Sequence, residues 1–348
     1  MDEITSRMRV MNALQYKEGD RVPFFLFPTI HGASEIGLNI KEYFSIPEYV
    51  VEGQLRMQKK YGHDCVYTYL YAPLMVEAFG GEVIYYDDAP PNSGEPFIKN
   101  FDDINKLQIP DIYDTKCLNK VLKITEKLKV KTEGTIPVIG TIFSPFSLPA
   151  MQLGLHRYIE LIYERPDLFE KLMKINEEYC VQWANAQIAA GADIIVCLDP
   201  MACKSIIPKE HYIQMGYKIA QRTINRIKGF TVIHFASSPC LHILDDVIKI
   251  GANAVGASSL EDIGEVKSIA SKGKVSLIGN LDVIKMNRWS KDDVARHVKD
   301  IMKKAGSGGG LIIAPSHGDI PLQVSDDTLL NISEAVTKWG RYPSDREE

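Results

Sequence analysis

The sequence predicts an α/β protein built as one (β/α)8 TIM barrel, and three observations carry that prediction. From about residue 134 onward, short apolar runs alternate with longer amphipathic segments, as in the βα repeat of a parallel barrel or open sheet. Two further runs upstream bring the total to eight, which suits a closed eight-stranded ring. Four of the runs release a polar side chain at their C-terminal ends, where barrel enzymes build their chemistry.

In chain order, residues 1–348 read as a single barrel domain with an N-terminal helical extension and an insertion around 71–115. The first strand candidate is Arg21-Val-Pro-Phe-Phe-Leu-Phe27. The amphipathic segment Pro47–Lys60 separates it from the second, Asp64-Cys-Val-Tyr-Thr-Tyr-Leu70. Residues 71–115 break the rhythm: Glu82-Val-Ile-Tyr-Tyr86 offers a hairpin strand, and Pro90-Pro91 forces an irregular loop over the barrel mouth. The remaining candidates are Ile136–Ile142, Asp193–Leu198, Phe230–His234, Ala254–Ala257, Val275–Gly279 and Leu311–Ala314. Between them, Pro166-Asp167 opens a helix that runs toward Ala190 and stops at Gly191, and Ser290 caps another that ends before Gly306. Ser307-Gly-Gly-Gly310 precedes a strand instead of opening a helix, so it predicts a turn and not a phosphate cradle.

Composition excludes several classes of function. An apolar share of 45% and a charged share of 24% are those of a globular chain. No apolar run is long enough to span a bilayer, and the N-terminus lacks the apolar core of a signal peptide, which predicts a cytoplasmic protein without a membrane partner. A net charge of −5 leaves no basic footprint for nucleic acid and favours a small-molecule or protein partner. The six cysteines contain no CxxC pair and read as reduced thiols.

The candidate chemistry sits at the strand ends. Phe230-Thr-Val-Ile-His234 ends in an imidazole, able to act as acid, base or metal ligand near neutral pH. Gly310-Leu-Ile-Ile-Ala-Pro-Ser-His317 releases a second histidine into a Gly/Asp loop. Asp199 ends the run from Asp193, held extended by Pro200, and is able to orient a histidine, bind a substrate hydroxyl or cap the next helix. Asn280 ends the run from Lys274 and offers a hydrogen bond to a ligand. His31 follows the first run closely enough to reach the same cavity. Tyr67, Tyr69 and Tyr71 alternate along the second, so one face is aromatic and suits packing or a flat ligand. The catalytic candidates are therefore His234, His317 and Asp199, and the substrate-binding candidates are His31, Tyr67, Tyr69 and Asn280.

Taken together, these residues resemble the uroporphyrinogen decarboxylase superfamily, in particular its branch of cobamide-dependent methyltransferases. The likeness covers nearly the whole chain: Arg7-Met-Arg-Val-Met-Asn-Ala-Leu14, Asp20-Arg-Val-Pro23, Tyr61-Gly-His-Asp64, Glu77-Ala-Phe-Gly80, Ser144-Pro-Phe-Ser-Leu148, Ala190-Gly-Ala-Asp193, Asp199-Pro-Met-Ala202, Gly279-Asn280 and Ala314-Pro315. It implies a (β/α)8 barrel carrying zinc on a His-x-Cys pair and a distant Cys. Here His234 matches the histidine, Ala236 stands at the first cysteine and His317 at the second. Zinc on His234 and His317 would need further ligands, such as Asp199, Glu261 or a nearby cysteine.

The resemblance also implies a corrinoid-dependent methyltransferase using cobalamin carried by a partner corrinoid protein, since the chain has no Asp-x-His-x-x-Gly sequence. The small-molecule partner would be a methyl donor or acceptor. With both thiolate ligands replaced, the expected donor is a methoxylated aromatic, in an O-demethylase reaction, in preference to methylation of a coenzyme M-like thiol. Uroporphyrinogen decarboxylase fits less well, because its N-terminal loop resembles Arg-Gln-Ala-Gly-Arg where this chain has Phe27-Pro-Thr-Ile-His-Gly-Ala33, without arginines for substrate carboxylates. The remaining alternative is a non-catalytic binding barrel.

Overall fold

Nine strands form in a computed structural model that describes residues 4–342. They are β1 (Val66–Tyr67), β2 (Val83–Ile84), β3 (Asn92–Ser93), β4 (Val138–Phe143), β5 (Ile194–Leu198), β6 (Phe230–His234), β7 (Ala254–Gly256), β8 (Ser276–Ile278) and β9 (Leu311–Ile312). Seven of them make one parallel sheet in the order β1-β4-β5-β6-β7-β8-β9. The first predicted run closes it. Ile313 N–H donates to Pro23 O at 2.9 Å and Phe25 N–H to Ile313 O at 2.8 Å on one side, while Asp64 N–H donates to Phe24 O at 2.9 Å on the other. The Arg21–Phe27 segment thus fills the eighth place of a (β/α)8 barrel, although its pairing is too brief to count as a strand.

The period of two along each strand divides the core. Ile139, Ile194, Val232, Ala254, Ile278 and Ile312 point into the barrel with Phe25, Cys65 and Tyr67. Their neighbours Val138, Ile195, Ile233, Val255, Leu277 and Leu311 face the surrounding helices. Several strands are shorter than the apolar runs that announced them, because burial continues into loops after ladder bonding has ended.

The N-terminal helix Ser6–Leu14, capped by Thr5, is part of the core: Val10, Ala13 and Leu14 close the bottom of the barrel interior. Arg9 on its other face donates to Asp64 at 2.7 Å and to Asp20 at 2.6 Å; Arg21 donates to Asp64 at 2.7 Å, and Ser6 to the same carboxylate at 2.8 Å. The helices Pro166–Ala189 and Lys291–Ala305 occur where the sequence predicts them, the second with a capping box on Ser290 and Asp293. In the insertion, β2 pairs antiparallel with β3. Gly308, Gly309 and Gly310 all have positive φ, as the predicted turn requires. All six cysteines are free. Among the described residues, no helix is long and apolar enough to cross a membrane.

Candidate active site at the barrel mouth

His234 is the last residue of β6 and lies two positions beyond inward-facing Val232, so the alternation delivers its imidazole to the inner wall at the C-terminal end. Space for the ring comes from β7. The Val232–Ala254 pairing puts Gly256 beside His234, and a Cβ there would lie 2.5 Å from His234 Cδ2 and 3.0 Å from Nε2. Glycine is therefore required by the close approach of the imidazole.

The chain after β6 then fixes the tautomer. Ala236 adopts φ +52°, and its backbone N–H donates to His234 Nδ1 at 3.1 Å. With Nδ1 an acceptor, the proton of the neutral ring resides on Nε2. Burial, and after it the charge of nearby His317, bring His234 down to about 4, so it is neutral at physiological pH. The same position that the resemblance marks as a cysteine ligand thus contributes a backbone donor and no side-chain ligand.

His317 is half-buried in the loop after β9, with Nδ1 3.0 Å from Ser316 Oγ; burial lowers its pKa, opposed by Asp282. Asp319, two residues on, has its Oδ1 buried without a partner, and burial raises its carboxyl to about 8 against the opposing effect of the Thr29 backbone amide. Phe27 lies against Tyr69 (5.4 Å between ring centroids) and Tyr67 (4.4 Å, edge-on). Tyr67 belongs to the barrel core, whereas half-buried Tyr69 is close enough to Asp319 for its phenol to be pushed upward by that charge, after burial.

Other predicted residues are bound up with their surroundings. Asp199 follows the outward parity of Ile195 and Cys197, and its carboxylate accepts from Ser144 Oγ and Ser147 Oγ at 2.6 Å each and from Tyr212 Oη at 3.1 Å. These bonds tie together the loops after β4 and β5 and the helix Lys209–Gln214. Burial raises the Asp199 pKa despite the three hydroxyls. Asn280 Nδ2 donates to the carbonyls of Ser258 at 3.0 Å and Glu261 at 3.2 Å, bracing the loop after β7. His31 begins the helix His31–Glu35 with both ring nitrogens buried and unpartnered, and burial lowers its pKa to about 4. The expected aromatic face stops short: ladder pairing ends at Tyr67, and Tyr71 turns into the outer layer, where it donates to Glu77 at 2.7 Å and packs against Phe44 and Tyr85.

The donor set does not fit the zinc that the resemblance implies. Among the described residues, no three His, Cys, Asp or Glu side chains lie close enough to share a metal ion. Of the reserve ligands, Asp199 is occupied by hydroxyls, and Glu261 accepts from Leu241 N–H at 2.7 Å and from Cys240 Sγ at 3.6 Å. Gly256, the Ala236 amide, Thr29 and Asp319 were not singled out by sequence reasoning. The signal for Gly256 was its level beside His234 once both runs are aligned.

Comparison with known proteins gives the family and the fold. The sequence profile of the family described as uroporphyrinogen decarboxylase (URO-D) matches residues 5–339. The chain is 25% identical over 354 aligned positions to a methylcobamide:CoM methyltransferase, MtaA, of Methanosarcina barkeri, covering 98% of this chain and 99% of the relative. It is 24% identical to a uroporphyrinogen decarboxylase of Coxiella burnetii, covering 90% of each. The solved structure of a methyltransferase from Methanosarcina mazei superposes with a TM-score of 0.87 at 20% identity, over 97% of this chain and 99% of that one.

Proposed function

From the premise that this chain belongs to the uroporphyrinogen decarboxylase family, we propose that it is a corrinoid-dependent methyltransferase that removes a methyl group from a small methoxylated aromatic compound. The near full-length similarity to a methylcobamide:CoM methyltransferase supports the reaction class. The observation that carries the choice of an ether is the hydrogen bond from Ala236 N–H to His234 Nδ1, which leaves a neutral imidazole with Nε2–H as a donor.

The corrinoid, when brought by a partner protein, would supply Co(I) as the nucleophile. The protein's task is to hold the ether with its methyl group toward that partner and to stabilise the oxygen as the C–O bond breaks. The bonding pair stays on oxygen, giving an aryloxide that takes a proton from water. His234 Nε2–H donates a hydrogen bond to the oxygen as charge develops, a role that a neutral imidazole fills without first acquiring a proton. His317 adds a second imidazole near His234, and Phe27 and Tyr69, in contact with each other, offer one aromatic wall to the ring. Asp199 acts through the loops it joins, as a positioning residue. No step runs through zinc, whose ligand set the mouth does not assemble.

The similarity to the Methanosarcina barkeri relative favours a second reading, methylation of a coenzyme M-like thiol. Single-turnover methylation of a Co(I) corrinoid protein by methoxybenzenes separates the two. The first reading expects ether turnover, slowed about 100-fold to 10,000-fold in His234→Ala. Thiol methylation from methylcobalamin without ether turnover would establish the second.

A further inference from the structure

The mouth contains a polar corner that the proposed reaction does not use. Backbone bonding joins its two sides: Ile320 N–H donates to Phe27 O at 3.0 Å, fixing the loop after the first run against the loop after β9. One loop brings Thr29, 1% exposed, whose Oγ1 is buried and unpartnered. The other brings Asp319, whose Oδ1 is likewise buried and unpartnered. Tyr69 lies beside Asp319 and leans on Phe27, with centroids 5.4 Å apart. Buried polar atoms without partners are uncommon, because each forfeits hydration without replacement, and a group of them beside an aromatic wall is a site for a ligand that brings the missing hydrogen bonds.

We propose that Thr29 and Asp319 form a subsite for a hydroxyl group on the aromatic ring, which makes the preferred donor a methoxyphenol and not a plain methoxybenzene. This inference rests on the reading of the protein as an ether demethylase. A phenolic hydroxyl both donates and accepts, so it can donate to the free Asp319 oxygen and accept from the Thr29 hydroxyl. Phe27 and Tyr69 together supply one aromatic wall, and the methoxy group remains toward His234. A ring without the hydroxyl would bury the same apolar surface yet leave both polar atoms unsatisfied, and such a mismatch is what gives a hydrogen-bonding site its selectivity.

Calorimetry with 2-methoxyphenol, methoxybenzene and phenol on the purified full-length chain tests this. Wild-type protein is expected to bind 2-methoxyphenol about 10-fold to 100-fold more tightly than methoxybenzene. Asp319→Leu should reduce that ratio to about threefold or less, Asp319→Asn should retain most of it, and Thr29→Val should lower it partially. Circular dichroism identifies any variant that has failed to fold, and the remaining variants decide. A wild-type ratio within about threefold, or a ratio unchanged in folded Asp319→Leu, would overturn the subsite. Phenol has no methyl group and so separates the subsite from the reaction. Asp319-dependent phenol binding with no ether demethylated upholds the subsite and removes the demethylase reading. Demethylation of both ethers with equal efficiency removes the subsite and leaves that reading intact.

Discussion

At the scale of the residue, the position of one proton decides what His234 can do. The Ala236 amide fixes Nδ1 as an acceptor, so the proton on Nε2 makes the ring a donor and denies that nitrogen a free lone pair for a metal. Nitrogen-15 NMR of labelled protein near pH 7 should show the Nε2–H tautomer, with protonation of the ring appearing only near pH 4. Gly256→Ala should displace the imidazole that now occupies the Cβ position, lowering kcat at least tenfold while leaving the thermal transition within a few degrees of wild type. His234 was legible in the sequence because an apolar run ends in it. Asp199 looked equivalent, but counting alternate residues from Ile194 places it on the outward face, and the hydroxyls of Ser144, Ser147 and Tyr212 come from segments too distant in the chain to read. Thr29 and Asp319 were hidden for the same reason, since nothing local shows that closure of the barrel joins their loops.

At the scale of the element, the N-terminal helix matters as much as any strand. Its apolar face seals the barrel floor, and its Arg9 reaches a fully buried carboxylate, Asp64, that also accepts from Arg21, Ser6 and the Phe24 amide. Asp64→Ala would leave Arg21 without its carboxylate and Arg9 with Asp20 alone, and urea unfolding should report a loss of about 3–5 kcal/mol. Arg9→Met, which removes one charge and retains the packing stem, should cost less. The sequence marked both ends of this network, Arg9 in the opening helix and Asp64 before β1, without revealing their contact. It did predict the helix and the strand runs, because periodicity is a local property. It overestimated the Tyr67–Tyr71 face because ladder bonding, which sets side-chain alternation, stops at Tyr67.

At the scale of the whole molecule, three histidines bear on acid stability. His31, His63 and His234 are buried, and burial brings each to about 4. The unfolded chain takes up their protons near pH 6.5, which the folded chain refuses until about pH 4. Stability is therefore full above the unfolded value and falls as pH drops through that window, by on the order of 3 kcal/mol per histidine. Urea unfolding at steps from pH 7.5 to 4 should show this decline, and His63→Asn, at the fully buried position, should make it shallower.

The central claim concerns the direction of methyl transfer and the donor oxygen that His234 serves. It is tested most directly by mixing wild-type and His234→Ala protein with a Co(I) corrinoid protein and 2-methoxyphenol, and following the loss of Co(I) absorbance in a single turnover. A parallel assay presents methylcobalamin and coenzyme M. The predicted result is rapid methylation from the ether, slowed at least about 100-fold by His234→Ala, with little thiol methylation. Efficient methylation of coenzyme M with no turnover of the ether would contradict it.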